Sequence, residues 1–283
     1  MPTNVIVGYD GSPAAGAAIS VGATLFPAAH AWIAHIWTPP FAGKRLLRRL
    51  RATARNTEEF LQLVEQEGAR EAGRIADAGV ALAKAAEWEA EPIVKRATGS
   101  DGLRLAQLAE RLHGDVLVIG DRGLGRSEAA IGSVSDMVVH YATVPVLVVP
   151  HPLLSDEFDA LADGPVVVGY DGSEGAETAV STVRRLFPDR AVILAAVRSD
   201  GHDVAAGPAA QGLELRTVEE RNRLGRPRDR VIADELSAEA DRAGAAVLAV
   251  GSRGLSAARE VLLGSVAVAT AHRSHRPVLV VHS

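Results

Sequence analysis

The chain has 283 residues, a length that predicts two domains at about 150 residues each. Hydrophobic residues make up 47% of it, enough for packed cores, and the net charge of −5 argues against nucleic acid or membrane as a partner held by bulk charge, while leaving room for a local basic patch. The absence of cysteine excludes disulfides, thiolate nucleophiles and cysteine-ligated zinc. Because the N-terminus has no signal-like pattern and no apolar run reaches about 20 residues, a cytoplasmic protein is predicted.

Strands and helices alternate along the chain, which predicts parallel α/β sheets because parallel neighbours need crossover connections. In the first half, strands are predicted over 4–9, 31–37, 91–96, 115–120 and 144–149. Helices are predicted between them over 12–25, 57–86, 101–112 and 133–141. In the second half, strands are predicted over 165–170, 191–197, 213–218, 245–250 and 277–281, with a helix over 266–272. The fold class is therefore two open parallel-sheet domains of five strands each, with flanking helices.

Several motifs occur twice. VGYDGS at 7–12 returns at 168–173, an offset of 161 residues, and PVLVV at 145–149 returns at 277–281, an offset of 132. A glycine-rich stretch after the fourth strand, GDRGLGRSEAAIGS, returns as GSRGLSAAREVLLGS with an offset of 131 at its first glycine. The constant order of these motifs predicts a tandem duplication.

The duplication divides the chain into a first domain at 1–150, a linker at 151–164 and a second domain at 165–283. Between its first motif and its glycine-rich stretch, the second copy is 30 residues shorter, since the offset falls from 161 to 131. The stretch 198–212, which lies where the long helix 57–86 should return, is rich in Gly and Pro. The second domain is therefore expected to lack that helix.

The glycine-rich stretches lie between a strand and a helix, where the unpaired amides of the helix N-terminus can bind an anion. The spacing excludes a P-loop, because Gly43 and Lys44 are followed by Arg45. It also excludes a dinucleotide fingerprint, since no third glycine follows Gly123 and Gly125 at the required distance. Glycines in one such loop are most simply turn residues, but their recurrence in two copies favours phosphate binding.

An aspartate follows the first strand of each copy, Asp10 and Asp171. Ligands of open parallel sheets bind outside the carboxyl ends of the strands, where a carboxylate can accept hydrogen bonds from ribose hydroxyls or an adenine amino group. The alternative is that each aspartate caps the next helix or closes a turn, as Asp-Gly-Ser does well. The residues alone leave both possibilities open.

Together, V-x-[YV]-D-G-S, G-x2-G-x9-G-[ST] and the closing PVLVV strand resemble the universal stress protein family, especially its tandem, ATP-binding actinobacterial members. The resemblance covers nearly the whole chain. It implies a Rossmann-like fold of the adenine-nucleotide α-hydrolase type and ATP as the ligand, with Mg²⁺ as a possible companion. Gly251, Gly254, Gly264 and Ser265 match the family's ATP-binding pattern in full.

The resemblance also implies where the nucleotide lies. Adenine and ribose are expected near the aspartate, an apolar residue of the second strand, and Ile119 or Val250, and the phosphates near the glycines. Arg122 and Arg253 are expected to pair with phosphate or to be solvated, and Ser133 and Ser265 to contact phosphate or Mg²⁺ or to cap a helix. The first-copy candidates are Gly8, Asp10, Ile36, Ile119, Gly120, Arg122, Gly123, Gly132, Ser133, Val134 and Ser135. The second-copy candidates are Gly169, Asp171, Val197, Val250, Gly251, Arg253, Gly254, Gly264, Ser265, Val266 and Ala267.

The first copy departs from the pattern, because eight residues instead of nine separate Gly123 from Gly132, and Glu128 is among them. This loop could close round a triphosphate, a shorter ligand or none. The histidines show no metal-ligand spacing, and His35, inside a strand, is expected to be packed rather than catalytic. No catalytic group or metal site is predicted.

The sequence thus favours an ATP-binding stress or signalling protein whose occupancy biases conformation or partner contacts. The alternatives are a slow ATPase or nucleotidyl-transfer enzyme and a nucleotide-free dimerisation module. The closing strands could pair within the chain, as a pseudo-dimer, or between chains, as a homodimer.

Overall fold

A computed structural model of the chain describes residues 3–38, 43–122, 132–198, 207–219, 225–252 and 263–282. Its strands are β1 Asn4–Gly8, β2 His30–Trp37, β3 Ala90–Arg96, β4 Val116–Gly120, β5 Val146–Val149, β6 Val166–Gly169, β7 Val192–Arg198, β8 Glu214–Glu219, β9 Val247–Gly251 and β10 Val278–Val281. Its helices are α1 Pro13–Leu25, α2 Lys44–Thr53, α3 Thr57–Ala85, α4 Asp101–Arg111, α5 Ser133–Tyr141, α6 Ser155–Asp163, α7 Glu174–Leu186, α8 Arg228–Arg242 and α9 Ser265–Arg273. The predicted strands are all present, each within two residues of its predicted ends.

The strands form one ten-stranded sheet in the order β3-β2-β1-β4-β5-β10-β9-β6-β7-β8. Neighbouring strands are parallel within each half, which confirms the predicted α/β class. The exception is the central pair, in which β5 and β10 run antiparallel with Leu279 opposite Leu147. The closing strands, whose pairing the sequence left open, thus pair within the chain. The two halves are related as a pseudo-dimer.

The central strands are apolar on both sides because helices cover both faces of the sheet. Every residue of β4, β5 and β10 is buried. On one face the core includes residues of α1, α3, α6 and α7. On the other it includes residues of α4, α5, α8 and α9. The rings of Phe26 and Phe187, which follow α1 and α7, stack at 5.2 Å between centroids where the two halves meet.

The antiparallel central pair places the carboxyl ends of the two halves at opposite edges of the sheet. All strands of the first half point the same way as β5, and all strands of the second half point the same way as β10. Ligand sites of parallel sheets lie at the carboxyl ends of the strands. The two candidate sites therefore lie at opposite edges.

The second half replaces the long helix α3 with polar contacts. In the first half, α3 lies so close to the sheet that a Cβ added to Gly79 would come within 2.8 Å of Tyr9. In the second half, the hydroxyl of Tyr170 donates to the Glu177 carboxylate and accepts the N–H of Gly207 at 2.8 Å. The same carboxylate accepts the N–H of Ala209 at 2.8 Å. The segment that begins at Gly207 is therefore fastened where α3 lies in the first half.

Helices α2 and α6 lie where the sequence predicted no helix, and α7 and α8 follow the predicted alternation of strands and helices although no range was predicted for them. Helix α6 lies inside the predicted linker and buries Leu161 completely in the core shared with α1 and α7. Arg190 fixes its end by donating to the carbonyl oxygens of Leu161 at 2.6 Å and Gly164 at 2.8 Å. None of the helices in the described ranges combines the length and apolar character needed to cross a membrane.

The β5 and β10 pair is expected to make both halves unfold together. Replacing the fully buried Leu279 of β10 by Ala should lower the free energy of unfolding by about 2–5 kcal/mol, since it leaves a cavity in the central core. The tryptophans, Trp32, Trp37 and Trp88, lie in the first half, so their fluorescence reports a half that does not contain the substitution. Urea unfolding followed by tryptophan fluorescence and by circular dichroism should show the same downward shift.

The matched control is Leu215→Ala on the edge strand β8, where the side chain is 37% exposed and the expected loss is under about 1.5 kcal/mol. A tryptophan transition that stays in place while the circular dichroism transition of Leu279→Ala shifts would show that the halves unfold independently.

Candidate functional site

The Asp-Gly-Ser turn after β1 begins the first candidate site. Oδ1 of Asp10 accepts the N–H of Ser12 at 2.9 Å, and Gly11 has the left-handed φ of +83° that this turn requires. Ser12 caps α1, because its Oγ accepts the N–H of Ala15 at 3.1 Å. Asp10 therefore closes a turn, which was one of the two alternatives, and Ser12 rather than Asp10 caps α1.

The second copy repeats this turn. Oδ1 of Asp171 accepts the N–H of Ser173 at 3.0 Å, and the Oγ of Ser173 accepts the N–H of Ala176 at 3.2 Å. Gly172 has a φ of +77°. In both copies the turn places the aspartate at the carboxyl edge of its half, directly after the first strand.

The glycine-rich stretches lead into α5 and α9, whose first turns have no side-chain cap. The N-cap residues are Gly132 and Gly264, and Ser133 and Ser265 are the first helical residues. The capping alternative for the two serines is therefore wrong, and both are exposed. The leading amides of α5 and α9 thus lack the side-chain acceptor that α1 and α7 have.

The N-cap glycines are held against the preceding strands by the backbone. The N–H of Gly132 donates to the carbonyl oxygen of Asp121 at 2.7 Å, just after β4. In the second copy the N–H of Gly264 donates to the carbonyl oxygen of Ser252 at 2.5 Å. Each uncapped helix N-terminus is therefore fixed at the carboxyl edge of its half, where a phosphate could accept its amide hydrogens.

Gly120 and Gly251, the last residues of β4 and β9, have a packing role. A Cβ added to Gly120 would lie 2.7 Å from the carbonyl carbon of Ala14, in the first turn of α1. At Gly251 it would lie 2.5 Å from the carbonyl oxygen of Gly175, in the first turn of α7. These glycines are required for a close approach of helix and strand, which the phosphate-binding interpretation did not foresee.

At Gly8 and Gly169, the last residues of β1 and β6, the missing side chain leaves room for the apolar candidates Ile119 and Val250. A Cβ added to Gly8 would lie 3.1 Å from Cγ2 of Ile119, and one added to Gly169 would lie 3.3 Å from Cγ1 of Val250. The second-strand candidates, Ile36 and Val197, are partly buried and pack on the same side of the sheet, against the core of α4, α5, α8 and α9.

The remaining candidates show where the copies differ. Ser135 is buried and its Oγ donates to the carbonyl oxygen of Gly120 at 2.8 Å, a contact that Ala267 cannot make in the second copy. Val134 is 42% exposed, and Val266 is half-buried. Gly123, Arg253 and Gly254 lie outside the described residues.

The carboxylate of Asp121 adds negative charge next to the first site. Asp121 is 9% exposed, and burial raises its pKa, although the charges of Arg122 and His151 and backbone hydrogen bonds from both oppose the shift. Nε of Arg122 lies 3.3 Å from Oδ2, so this arginine pairs with Asp121. Oδ1 has no hydrogen-bond partner among the described residues. The second copy has the neutral Ser252 at this position.

His35 lies beside the first site but is already engaged. It is 8% exposed, and its Nδ1 donates to the carbonyl oxygen of Tyr9 at 2.8 Å. It is a packed strand residue, as the sequence predicted. Among the residues that the structure describes, no three histidines or carboxylates are arranged to hold a metal ion.

The fold defines a class: a tandem α/β protein with a continuous sheet, in which each half has an aspartate turn and an uncapped helix N-terminus at its carboxyl edge. The sequence profile of the universal stress protein family matches residues 1–150 and 164–282. The chain therefore belongs to the universal stress protein family.

Individual proteins and solved structures are also similar to this chain. Universal stress protein Slr1101 of Synechocystis sp. is 42% identical over 73 residues, which is 25% of this chain and 64% of that protein's length. The crystal structure of a universal stress protein from Archaeoglobus fulgidus is 19% identical, covers 100% of this chain and 97% of its own, and has a TM-score of 0.65. A functionally unknown protein, PA1789 of Pseudomonas aeruginosa, is 12% identical, covers 99% and 92%, and has a TM-score of 0.52. At these identities the two structures show the shared fold.

The packing role of Gly120 can be tested by substitution. Gly120→Ala should lower the free energy of unfolding by about 1–3 kcal/mol, because the new methyl group meets backbone atoms that can move only with α1. Gly73→Ala is the control, since it lies within α3 with no atom near its added Cβ and should raise stability by about 0.5–1 kcal/mol. Equal effects of the two substitutions in urea unfolding would contradict the close approach.

The raised pKa of Asp121 predicts a pH-dependent gain of stability for Asp121→Ser. A carboxyl group whose pKa is raised in the folded state favours folding most when it is protonated. Its contribution to the free energy of unfolding is lost as the pH rises through that pKa. Asp121→Ser should therefore raise the melting temperature at pH 7, and the gain should shrink towards about pH 4. Melting curves at both pH values test this, with the exposed Asp159→Ser as control. A gain that is the same at both pH values would contradict it.

Proposed function

We propose that the protein binds ATP at both carboxyl edges of the sheet and acts through this binding as a regulator in a stress or signalling response. The observation that carries the proposal is the repeated pairing, in each copy, of an aspartate turn with a helix N-terminus that has no side-chain cap. Each predicted domain, 1–150 and 165–283, would carry one site.

In this proposal the phosphates lie at the N-termini of α5 and α9. Helix amides and the helix dipole favour an anion there, and glycine at the N-cap lets a phosphate approach the backbone. The exposed hydroxyls of Ser133 and Ser265 stand at the first helical position. Mg²⁺ prefers oxygen ligands and is often held by phosphates with few protein groups. These hydroxyls suit that requirement, and Mg²⁺ would neutralise phosphate charge.

The adenine and ribose would lie on the side of the sheet that carries Ile36 and Ile119 in the first copy and Val197 and Val250 in the second. These side chains offer an apolar surface for a base at the carboxyl ends of neighbouring strands. Asp10 and Asp171 would accept hydrogen bonds from the ribose hydroxyls, in addition to closing their turns.

The two sites are proposed to differ in affinity. The buried carboxylate of Asp121 repels phosphate in the first site, whereas Ser252 is neutral in the second. The first loop is also one residue shorter than the second, which matches the family pattern in full. The second site is therefore proposed as the tighter ATP site.

Regulation, rather than turnover, is proposed because His35, the histidine beside the first site, is 8% exposed and packed within its strand, with Nδ1 hydrogen-bonded to the carbonyl oxygen of Tyr9. ATP would act by binding two conformations with different affinities and shifting their populations.

Calorimetric titration of nucleotide-stripped protein with Mg-ATP tests the proposal. About two sites per chain are expected, the tighter one removed by Gly254→Val and the weaker one by Gly123→Val, because a side chain at either glycine obstructs the phosphates. Gly73→Ala should leave both sites intact. A single site lost with Gly254→Val would identify the first copy as a degenerate site.

Two results would favour the alternatives. Steady production of ADP that disappears with Gly254→Val would indicate a slow ATPase. Absence of binding at millimolar ATP, which means a binding free energy weaker than about −4 kcal/mol, would contradict the proposal and favour a nucleotide-free interaction module.

A further inference from the structure

Helix α2 is the most basic element of the described chain. Its ten residues, KRLLRRLRAT, include five basic side chains and no acidic one. With Arg55, the segment 43–55 carries six positive charges. Because the whole chain has a net charge of −5, the residues outside this segment carry −11. The positive charge is thus concentrated in one short element of an acidic protein.

The helix separates its basic and apolar residues. At about 100° per residue, Leu46, Leu47 and Leu50 fall on one side and the basic residues on the other. The leucines are half-buried, the basic side chains are exposed, and none of the ten residues is buried. Helix α2 packs against α3, and Arg51, at the border of the basic side, has its guanidinium 5.4 Å from the ring centre of Phe60. Lys44, Arg45, Arg48 and Arg49 face outward.

The basic side chains of α2 have no carboxylate partner among the described residues. The neighbouring helix α3 behaves differently, since Arg70 pairs with Glu67 at 3.2 Å and Arg74 pairs with Glu71 at 2.9 Å. Between β7 and β8 of the second half, the described residues 207–213 form no helix and include no basic residue.

We propose that α2 binds the surface of an anionic lipid bilayer. A cluster of about four to eight lysines and arginines on an amphipathic helix attracts the anionic headgroups of a membrane. The half-buried leucines lie on the side of α2 away from the basic residues, so the exposed basic side chains alone make this contact. The proposal departs from the expectation of no membrane partner, which rested on the net charge of the whole chain.

Lipid is favoured over nucleic acid for two reasons. Helix α2 has no aromatic residue to stack on bases and no Asn or Gln to read them. A long nucleic acid would also extend past this short helix towards the rest of the chain, which carries −11. A bilayer can contact the one basic side alone.

Vesicle flotation with the full chain tests the proposal without nucleotide, so its outcome is independent of ATP binding. The protein should float with phosphatidylcholine vesicles that contain about 30% phosphatidylglycerol, and not with pure phosphatidylcholine, and salt near 0.5 M should release it. The triple variant Arg45→Gln, Arg48→Gln, Arg49→Gln should lower the partition coefficient about 100-fold, since each basic residue near an anionic surface contributes about fivefold.

The matched control removes the same charge elsewhere, with Arg70→Gln, Arg74→Gln and Arg111→Gln, and should float like the unaltered chain. Circular dichroism of both triple variants verifies folding. Equal losses in the two variants, or no flotation of the unaltered chain, would overturn the proposal. The proposal would also be overturned if the chain bound labelled double-stranded DNA more tightly than vesicles and the α2 triple variant abolished that DNA binding.

Discussion

The antiparallel pairing of β5 with β10 is the contact on which the rest of the molecule depends. Each of these strands is buried and closes one half of the sheet, so each half alone would expose an apolar edge. When the two edges pair, neither is exposed, and the halves form one ten-stranded sheet. The same pairing brings Phe26 into contact with Phe187 and places the carboxyl ends of the two halves at opposite edges of the sheet.

The two copies retain backbone geometry and differ in polar detail. The Asp-Gly-Ser turn, the N-cap glycines and the glycines that end β4 and β9 recur because each meets a backbone constraint. Other positions have diverged: Ser135 corresponds to Ala267, Asp121 to Ser252, and Gly16, at the offset of 161 residues, to Glu177. The shared constraints explain why both halves fold alike, and the differences are the basis on which the two sites are proposed to differ in affinity.

The sequence predicted the strands well because buried parallel strands are continuous apolar runs bounded by turn residues. It could not decide how the closing strands pair, since an apolar edge fits a partner within or outside the chain equally well. Helix α6 was missed because its few apolar residues, Leu161 among them, find their core only through long-range contacts. The packing role of Gly120 was also hidden, because it depends on how closely α1 crosses β4. The candidate site residues therefore stay predictions where they concern the ligand.

The position of α2 gives the two edges different surroundings. Glu65 of α3 pairs at 2.8 Å with Arg96, the last residue of β3, so the first turns of α3 extend past the carboxyl edge of the first half. Helix α2 packs against α3 there, with Arg51 over Phe60, on the edge that also carries the Asp10 turn. A bilayer bound by α2 would therefore lie near the first site, whereas the second site opens at the opposite edge. Membrane contact and tighter ATP binding would then belong to different halves, joined by the central strand pair.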